Sequence, residues 1–352
     1  MLGSSRHDLE RPPVLDFGIF DHLDSNDLPL GEFFAQRLKL IEQIEAGGFH
    51  GYHFAEHHST PLGLAGSPSV FLAAAFARTT RLRIGPLVYV LPLHHPLRLY
   101  EEICMLDHLS AGRLMMGVGR GGALSEHQRM GVEPQEAQAR YHEAFAVLME
   151  AFGKDIVNFD GRFFRYRDYL VQQKPVQRPH PPIWYGAPNP DAIGWAAPRA
   201  INVVSLGPAA RAKAISERYR AEWNALGRDA SEIPKIGITR HIVVAASDDE
   251  AKQIARRAYP RWAAAIAFLW ERAKQDFVLR EIYPKDFDAL EKIGHGIAGS
   301  PETVRHYLKN LEAETGVNYV LCQMTFGDMT FAEAGTSLSL FAREVMPAFK
   351  AR

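Results

Sequence analysis

The chain has 352 residues, and its 40 lysines and arginines nearly balance its 41 aspartates and glutamates. This balance provides no strong field that would draw the protein to nucleic acid or to an acidic surface. Only two cysteines occur, Cys104 and Cys322, both in apolar runs, so we expect buried thiols and no disulfide scaffold. No apolar run approaches the roughly 18 residues that span a bilayer, and residues 1–13 lack the pattern of a secretion signal. We therefore expect a cytoplasmic protein without nucleic-acid or membrane partners.

Short apolar segments alternate with amphipathic helical segments along the chain. We predict buried strands at residues 14–20, 52–55, 82–91, 113–118, 182–186, 200–205, 236–245 and 317–323. Helices are predicted between them, among others at residues 30–46, 68–78, 96–109, 135–152, 209–226 and 301–314. Right-handed crossovers between eight parallel strands would close as a (β/α)8 barrel, an α/β fold. A doubly wound open sheet is the runner-up, but the first strand lacks the glycine fingerprint of a dinucleotide site.

Two segments interrupt this alternation. Residues 153–181 are aromatic and basic, which predicts an excursion of extended structure over one end of the fold. Residues 271–298 are predicted to form a second and less regular insertion. No linker rich in proline, glycine or serine divides the chain. We therefore expect residues 1–352 to form a single barrel domain that carries these two insertions.

A glutamate and several histidines follow the second and third predicted strands, where a barrel gathers its functional residues. Glu56, His57 and His58 end the second strand, and His94 and His95 follow the third. A metal site is disfavoured, because adjacent residues on an extended chain point to opposite faces and neither H-x-H nor H-E-x-x-H occurs. Histidines that only hydrogen-bond at the rim of the fold are the structural alternative to a catalytic pair.

A glycine-rich turn with one arginine, Gly119-Arg120-Gly121-Gly122, follows the fourth predicted strand. Glycines let backbone N–H groups approach an anion, and arginine supplies a forked and permanently charged donor. Taken alone, such glycines can mark only a tight turn. The position of this turn directly after a buried barrel strand favours a phosphate site.

Three segments share their order, spacing and strand-end position with one known family. They read A-E-H-H at residues 55–58, L-R-I-G-P-L-V-Y-V-L-P-L-H-H-P at residues 82–96 and D-H-L-S-A-G-R-L-M-M-G-V-G-R-G at residues 107–121. Together they resemble the bacterial luciferase-like family of flavin-dependent monooxygenases. The resemblance implies a barrel, commonly a homodimer, that binds FMN noncovalently at the strand ends. Reduced FMN, usually delivered by a separate flavin reductase, would react with O2 to give a flavin hydroperoxide that oxygenates a small organic substrate.

The resemblance also implies roles for individual residues. His57 matches the histidine implicated in catalysis, with His58 beside it, and Arg120 matches the arginine that grips the FMN phosphate. Gly119, at the start of the phosphate cradle, stands where bacterial luciferase has a reactive cysteine, so light emission is not implied. The other implied cofactor-binding residues are Gly121, Gly122, Tyr141, Gly186, Ala187, Asn189 and, joined by a cis peptide bond beneath the isoalloxazine, Leu87 and Val88.

Three alternative functions remain open at this point. A catalytically silent flavin carrier would share the fold, although the presence of His57 and His58 argues against it. Some distant relatives bind a deazaflavin and transfer hydride, whereas the E-H-H sequence favours FMN and oxygen chemistry. A metal-dependent barrel hydrolase is the third alternative. The sequence does not indicate the substrate, because a family resemblance does not transfer specificity.

Overall fold

The structure, a computed structural model, describes residues 15–350 except for the side chain of Leu124. Its strands are β1 (Asp16–Asp21), β2 (Gly51–Phe54), β3 (Arg83–Pro86), β4 (Tyr89–Val90), β5 (Met116–Gly119), β6 (Ile156–Asp160), β7 (Arg165–Leu170), β8 (Ile183–Gly186), β9 (Asn202–Ser205), β10 (Ile236–Val244), β11 (Gly296–Gly299) and β12 (Tyr319–Gln323). Its α-helices are α1 (Leu30–Gly47), α2 (Pro68–Phe76), α3 (Pro96–Leu109), α4 (Leu124–Arg129), α5 (Ala137–Gly153), α6 (Ile193–Ala196), α7 (Ala209–Ala225), α8 (Asp248–Arg272), α9 (Phe287–Lys292), α10 (Pro301–Thr315) and α11 (Phe331–Leu340).

The barrel of the described residues is a ring of parallel strands. Their order is β3-β2-β1-β12-β10-β9-β8-β5-β4, and β11 pairs with β10 off this path. The ring closes next to β5, because Ile84 of β3 accepts a backbone hydrogen bond from Met115 at 2.9 Å and donates one to Arg113 at 3.1 Å. With β3 and β4 counted as the two halves of one broken strand, eight strand positions surround the axis. The predicted (β/α)8 barrel is confirmed, and the open sheet is excluded.

The bounds of several predicted strands shift by one to three residues, and one predicted strand is broken in two. The segment 82–91, expected as one strand, breaks after Pro86, and its Leu87–Val88 peptide bond is cis, as the resemblance implied. The first half, β3, pairs with β2, and the second half, β4, pairs with β5. The sequence does not indicate this break, because the apolar residues continue through it. The first strand begins at Asp16, and the predicted first residue, Val14, lies outside the described residues.

Side chains from the strands fill the inside of the ring. Met115, Trp184, Val204, Tyr319 and Leu321 belong to one buried cluster there, and a larger apolar core lies between the ring and the helices. A barrel interior of this kind is a packed core and not a pore. The carboxyl ends of the strands therefore remain as the place where a ligand can bind.

The two predicted insertions differ in regularity. The segment 153–181 contains an antiparallel hairpin of β6 and β7, in agreement with the predicted extended excursion. The Glu143 carboxylate of α5 fastens this hairpin by accepting the backbone N–H groups of Arg162 and Phe163, both at 2.9 Å. The segment 271–298 is more regular than expected, because it contains α9 and most of β11. The assignment of the chain to a single domain stays a prediction.

Local sequence signals set several helix ends. Ser247 and Ser300 precede α8 and α10, and each side chain accepts a backbone N–H three residues further on.

Both cysteines are buried and free, as predicted. Within the part of the chain that the structure describes, no helix is long and apolar enough to cross a bilayer.

Candidate active site

The carboxyl ends of the strands bring the predicted residues to one mouth of the barrel. The broken strand β3/β4 lies between β2 and β5, so the groups that follow β2 and β5 flank it. We name the first group the histidine side; it consists of Glu56, His57, His58 and His94. We name the second group the arginine side; it consists of Gly119, Arg120, Gly121, Gly122, Tyr141, Tyr185 and the turn 186–189.

A buried carboxylate, that of Glu56, organises the histidine side. Its oxygens lie 2.9 Å from Nε2 of His58 and 3.0 Å from Nε2 of His94, and one of them accepts the backbone N–H of Val90 at 2.8 Å. Burial by itself would raise the pKa of Glu56, but these three donors outweigh burial and lower the pKa to about 2. The hydrogen bond to Glu56 raises the pKa of His58. The histidine side therefore contains its own countercharge.

His57 turns away from Glu56 and contacts a different acid. Its Nδ1 lies 3.2 Å from both carboxylate oxygens of Glu126, a buried residue of α4. Its ring also stacks on His22, with centroids 6.0 Å apart and planes at 15°. No described residue hydrogen-bonds its Nε2, and the side chain is 21% exposed. His57 and His58 thus each keep one ring nitrogen without a partner among the described residues, Nε2 in His57 and Nδ1 in His58, whose Nε2 is engaged with Glu56.

The turn after β5 presents Arg120 to the mouth. Its side chain is exposed, and its Nε donates to the carbonyl oxygen of Gly121 at 3.2 Å. Gly121 has a φ of +87°, and a Cβ there would lie 2.8 Å from Val90 Cγ1 and 3.0 Å from His127 Cε1. Only glycine meets both conditions without strain. His127 also supports the turn, since its Nε2 lies 2.7 Å from the carbonyl oxygen of Arg120.

Two tyrosines complete the arginine side. The hydroxyl of Tyr141 is buried and has no hydrogen-bond partner among residues 15–350. Burial, and then the neighbouring Tyr185, raise the pKa of this hydroxyl. Burial raises the pKa of Tyr185 as well, and the charge of Arg120 offsets part of that rise. The Tyr141 hydroxyl is therefore available to a ligand oxygen, a property that it shares with other buried groups such as the Tyr259 hydroxyl.

The turn after β8 offers a ligand fewer donors than the resemblance implies. The amide of Ala187 donates to the carbonyl oxygen of Val204 at 2.9 Å, so this N–H is engaged in a hydrogen bond within the barrel. The side-chain oxygen of Asn189 accepts the amide of Ala192 at 3.3 Å and caps the 3-10 helix that follows. Gly186 and Gly122 are exposed. The N–H of Ala187 is therefore already engaged, and cofactor binding by Gly186, Ala187 and Asn189 stays a prediction.

Leu87 and Val88 lie between the two sides. Leu87 is buried in the cluster inside the barrel, and Val88 packs against that cluster while remaining partly exposed. Gly119 leaves room for this arrangement, because a Cβ there would lie 2.6 Å from Val88 Cγ2. Leu87 and Val88 are thus apolar residues that pack on the interior of the barrel, and their place beneath a planar ring stays a prediction.

The acids and imidazoles at the mouth pair with one another. Glu56 contacts His58 and His94, and Glu126 contacts His57, at hydrogen-bonding distances. In the described ranges, no group of three His, Cys, Asp or Glu side chains is arranged to hold a metal ion.

Sequence reasoning does not identify α4 or its side chains. Residues 124–129 read L-S-E-H-Q-R, which has no apolar repeat, and they follow the glycine-rich turn without a helix start signal. Nevertheless Glu126 reaches the histidine side and His127 reaches the arginine side. Tyr185 is also missed, because β8 reads I-W-Y-G without alternating polar and apolar residues, so its sequence does not indicate which side chain reaches the mouth. The only sequence signal for Glu126 and His127 is that they are polar and follow Arg120 closely in the chain.

The fold and the relatives of the chain identify an α/β-barrel enzyme of the flavin-dependent monooxygenase class. The chain belongs to the luciferase-like monooxygenase family, whose sequence pattern matches residues 15–319. The resemblance found in the sequence and the predicted enzyme class are both confirmed.

Individual relatives match nearly the whole chain. The chain is 40% identical over 319 residues to an uncharacterized protein of Sinorhizobium fredii, y4wF. This match covers 90% of this chain and 92% of that protein. It is 26% identical over 348 residues to the oxygenase component of flavin-dependent trigonelline monooxygenase of Acinetobacter baylyi, with 95% of each chain covered. The monooxygenase RslO1 of Streptomyces bottropensis superposes with a TM-score of 0.85 at 26% identity, over 96% of this chain and 100% of that one.

Proposed function

We propose that the protein is the oxygenase component of a two-component, FMN-dependent monooxygenase that transfers oxygen from O2 to a small organic substrate. The observation that carries this proposal is the division of the mouth. Arg120 and the unpartnered hydroxyl of Tyr141 lie on one side, and the unengaged Nε2 of His57 lies on the other. A molecule with an anionic tail and a reactive ring would contact both sides. The similarity to a flavin-dependent oxygenase component over 95% of each chain supports the proposal.

The residues at the mouth fit FMN. Arg120 and Tyr141 would hold the phosphate, because neither the guanidinium of Arg120 nor the buried hydroxyl of Tyr141 has an anionic acceptor among the described residues. The turn at Gly121 keeps the backbone close to this position. Leu87 and Val88 would lie beneath the ring as an apolar floor. When bound, reduced FMN supplies the electrons that activate O2.

His57 is the residue that we expect to accept and return a proton at the mouth. Its Nε2 is unengaged, whereas its Nδ1 contacts Glu126. Histidine is suited to this task because its charge changes near neutral pH. The packed interior of the barrel, including Trp184 and Leu321, excludes water from below.

The reaction can be tested by supplying reduced FMN from a separate flavin reductase and NADH under 18O2, with a panel of small organic substrates. We expect one substrate to gain one 18O atom. His57→Ala should abolish this gain while FMN binding persists, and Arg129→Ala, at an exposed arginine of α4, is the matched control. FMN binding without oxygenation of any substrate would indicate a flavin carrier. Substrate oxidation with a deazaflavin and without O2 would indicate hydride transfer, and either result would contradict the proposal.

We also propose that the chain forms a homodimer through α2 and α3. Val70 of α2 and Met105 and Leu109 of α3 are 70%, 53% and 66% exposed, although these two helices pack against each other. Exposed apolar side chains on neighbouring helices are typical of a protein interface. Val70→Glu combined with Leu109→Glu should yield monomers in sedimentation experiments, and Leu226→Glu, at another exposed leucine, should not. A parent protein that is already monomeric would refute the dimer. The cytoplasmic location stays a prediction.

A further inference from the structure

The short helix α4 contacts both sides of the barrel mouth. Glu126 and His127 are adjacent and buried, at 5% and 1% exposure. Glu126 contacts the His57 ring, and His127 contacts the carbonyl oxygen of Arg120. The hydroxyl of Ser125 donates to the carbonyl oxygen of Leu269 at 3.3 Å, which fastens α4 to α8. Three successive side chains thus anchor α4 to three different elements.

We propose that Glu126 is a positioning residue that fixes His57 in the tautomer with its proton on Nδ1 and keeps Nε2 available at the mouth. The proposal deepens the proposed function and rests on it only in one respect, namely that Nε2 of His57 exchanges the proton of the reaction.

The hydrogen-bonding capacity of a carboxylate explains this role. An ionised carboxylate only accepts hydrogen bonds, so an imidazole nitrogen within reach of it must carry the proton. Nδ1 of His57 lies 3.2 Å from both oxygens of Glu126. The other ring nitrogen is then left with a free lone pair, which is the state that a general base requires.

The carboxylate of Glu126 is held in place by a second contact. Its Oε1 accepts the backbone N–H of His58 at 2.7 Å. This bond does not depend on the orientation of the His57 ring, so it holds the carboxylate in place whether or not the imidazole contacts it. The ring face of His57 is covered by His22, which receives the Nε1–H of Trp262 at 3.3 Å. The His57 ring is therefore held at its edge by Glu126, and it lies nearly parallel to the His22 ring at a centroid distance of 6.0 Å.

The contact of His127 connects this arrangement to the arginine side. Nε2 of His127 lies 2.7 Å from the carbonyl oxygen of Arg120, and the missing side chain of Gly121 leaves space for the His127 ring. A displacement of the turn that carries Arg120 would therefore move α4, and with it the carboxylate of Glu126. By this route the same short helix positions the group for the proton and the group for the phosphate.

The tautomer of His57 can be measured in the flavin-free protein. After labelling histidine with 15N, long-range 1H–15N correlation spectra at about pH 8.5, some two units above the usual histidine pKa of about 6.5, report which ring nitrogen is protonated. We expect Nδ1 to be protonated in the parent. In Glu126→Gln the side-chain amide can also donate, so we expect the Nε2-protonated form to become prominent. Glu133→Gln, at an exposed glutamate, should match the parent.

A second variant keeps the test decisive if Glu126→Gln folds poorly. Glu126→Ala removes the acceptor altogether, so the Nε2-protonated form of His57 should become prominent in it as well, whereas Glu126→Asp retains an acceptor-only carboxylate and should keep the Nδ1-protonated form. A His57 tautomer that stays Nδ1-protonated in whichever of Glu126→Gln and Glu126→Ala folds would overturn the proposal. In turnover assays, we expect Glu126→Gln to slow oxygenation by about tenfold or more, as partial loss of a general base predicts, with the FMN Kd unchanged within about twofold. A changed tautomer with unchanged turnover would confirm the positioning and refute only the assigned role of His57.

Discussion

On the histidine side of the barrel mouth two buried carboxylates each accept hydrogen bonds from several donors, whereas on the arginine side the described residues provide no anionic partner for Arg120 and no partner for the Tyr141 hydroxyl. Glu56 receives hydrogen bonds from His58, His94 and the backbone of Val90. Arg120, by contrast, is exposed and donates only to its own turn, as far as residues 15–350 show, and the Tyr141 hydroxyl has no partner among them.

On the histidine side, folding alone provides the hydrogen-bond partners. On the arginine side, a ligand would provide the partners that the protein lacks. A buried carboxylate is stable only when it is fully hydrogen-bonded, and Glu56 meets this condition without a ligand. The arginine side contains a cation and a buried hydroxyl without such compensation. We therefore expect substitutions on the histidine side to change the stability of the free protein, and substitutions on the arginine side to change the affinity for an anionic cofactor.

The largest effect is expected for Glu56→Gln, because it removes the countercharge of the histidine side. The pKa of Glu56 falls from its ordinary value of 4.5 to about 2 in the folded protein. A shift of this size corresponds to a contribution of about 3 kcal/mol to the free energy of unfolding. We expect the variant to lose up to about 3 kcal/mol at neutral pH, measured by urea denaturation.

The pH dependence of this loss provides an internal control. Since the folded-state pKa of Glu56 lies below its unfolded value, its contribution is complete above about pH 4.5 and disappears as the pH falls through about 2. The difference between the parent and Glu56→Gln should therefore shrink as the pH is lowered through this range. A difference that stays constant would show that the loss comes from packing and not from charge.

Arg120→Ala should produce the next largest effect, and only on binding. A hydrogen bond to a charged group contributes about 1.5–3 kcal/mol, so we expect the FMN Kd to rise about 10- to 150-fold. Riboflavin, which lacks the phosphate, serves as the matched ligand, and its Kd should change by less than about twofold. Equal losses for both ligands in fluorescence titrations would mean that Arg120 does not bind the phosphate.

Tyr141→Phe tests the smaller contribution of a neutral donor on the same side. A neutral hydrogen bond contributes about 0.5–1.5 kcal/mol, so the FMN Kd should rise about two- to tenfold. Because the hydroxyl of Tyr141 is buried without a partner in the free protein, we expect the variant to unfold at the same or a slightly higher urea concentration. A clear loss of stability would show that this hydroxyl is satisfied without a ligand.

Much of the fold could be predicted because its signals are local. Buried strands are short apolar runs, and the serines before α8 and α10 announce helix starts. His57 and Arg120 could be proposed as site residues because each follows a buried strand directly, and barrels place function there. The break after Pro86 could not be predicted, because the apolar run continues through it.

The contacts that organise the mouth could not be predicted, because they join residues far apart in the sequence. Glu126 and His57 are separated by 69 positions, and nothing in the L-S-E-H-Q-R segment indicates that its glutamate is buried. The engagement of the Ala187 amide with Val204 likewise depends on the register of two strands. Sequence patterns identify which groups reach the mouth, but the pairing of these groups follows from the fold.

A crystal structure of the protein with bound FMN would test most directly whether the two sides of the mouth hold the two ends of one cofactor. The account predicts the phosphate hydrogen-bonded to Arg120 and Tyr141, with the ring above Leu87 and Val88 and its edge toward Nε2 of His57. FMN bound with its phosphate away from Arg120, or with its ring outside the mouth, would contradict it.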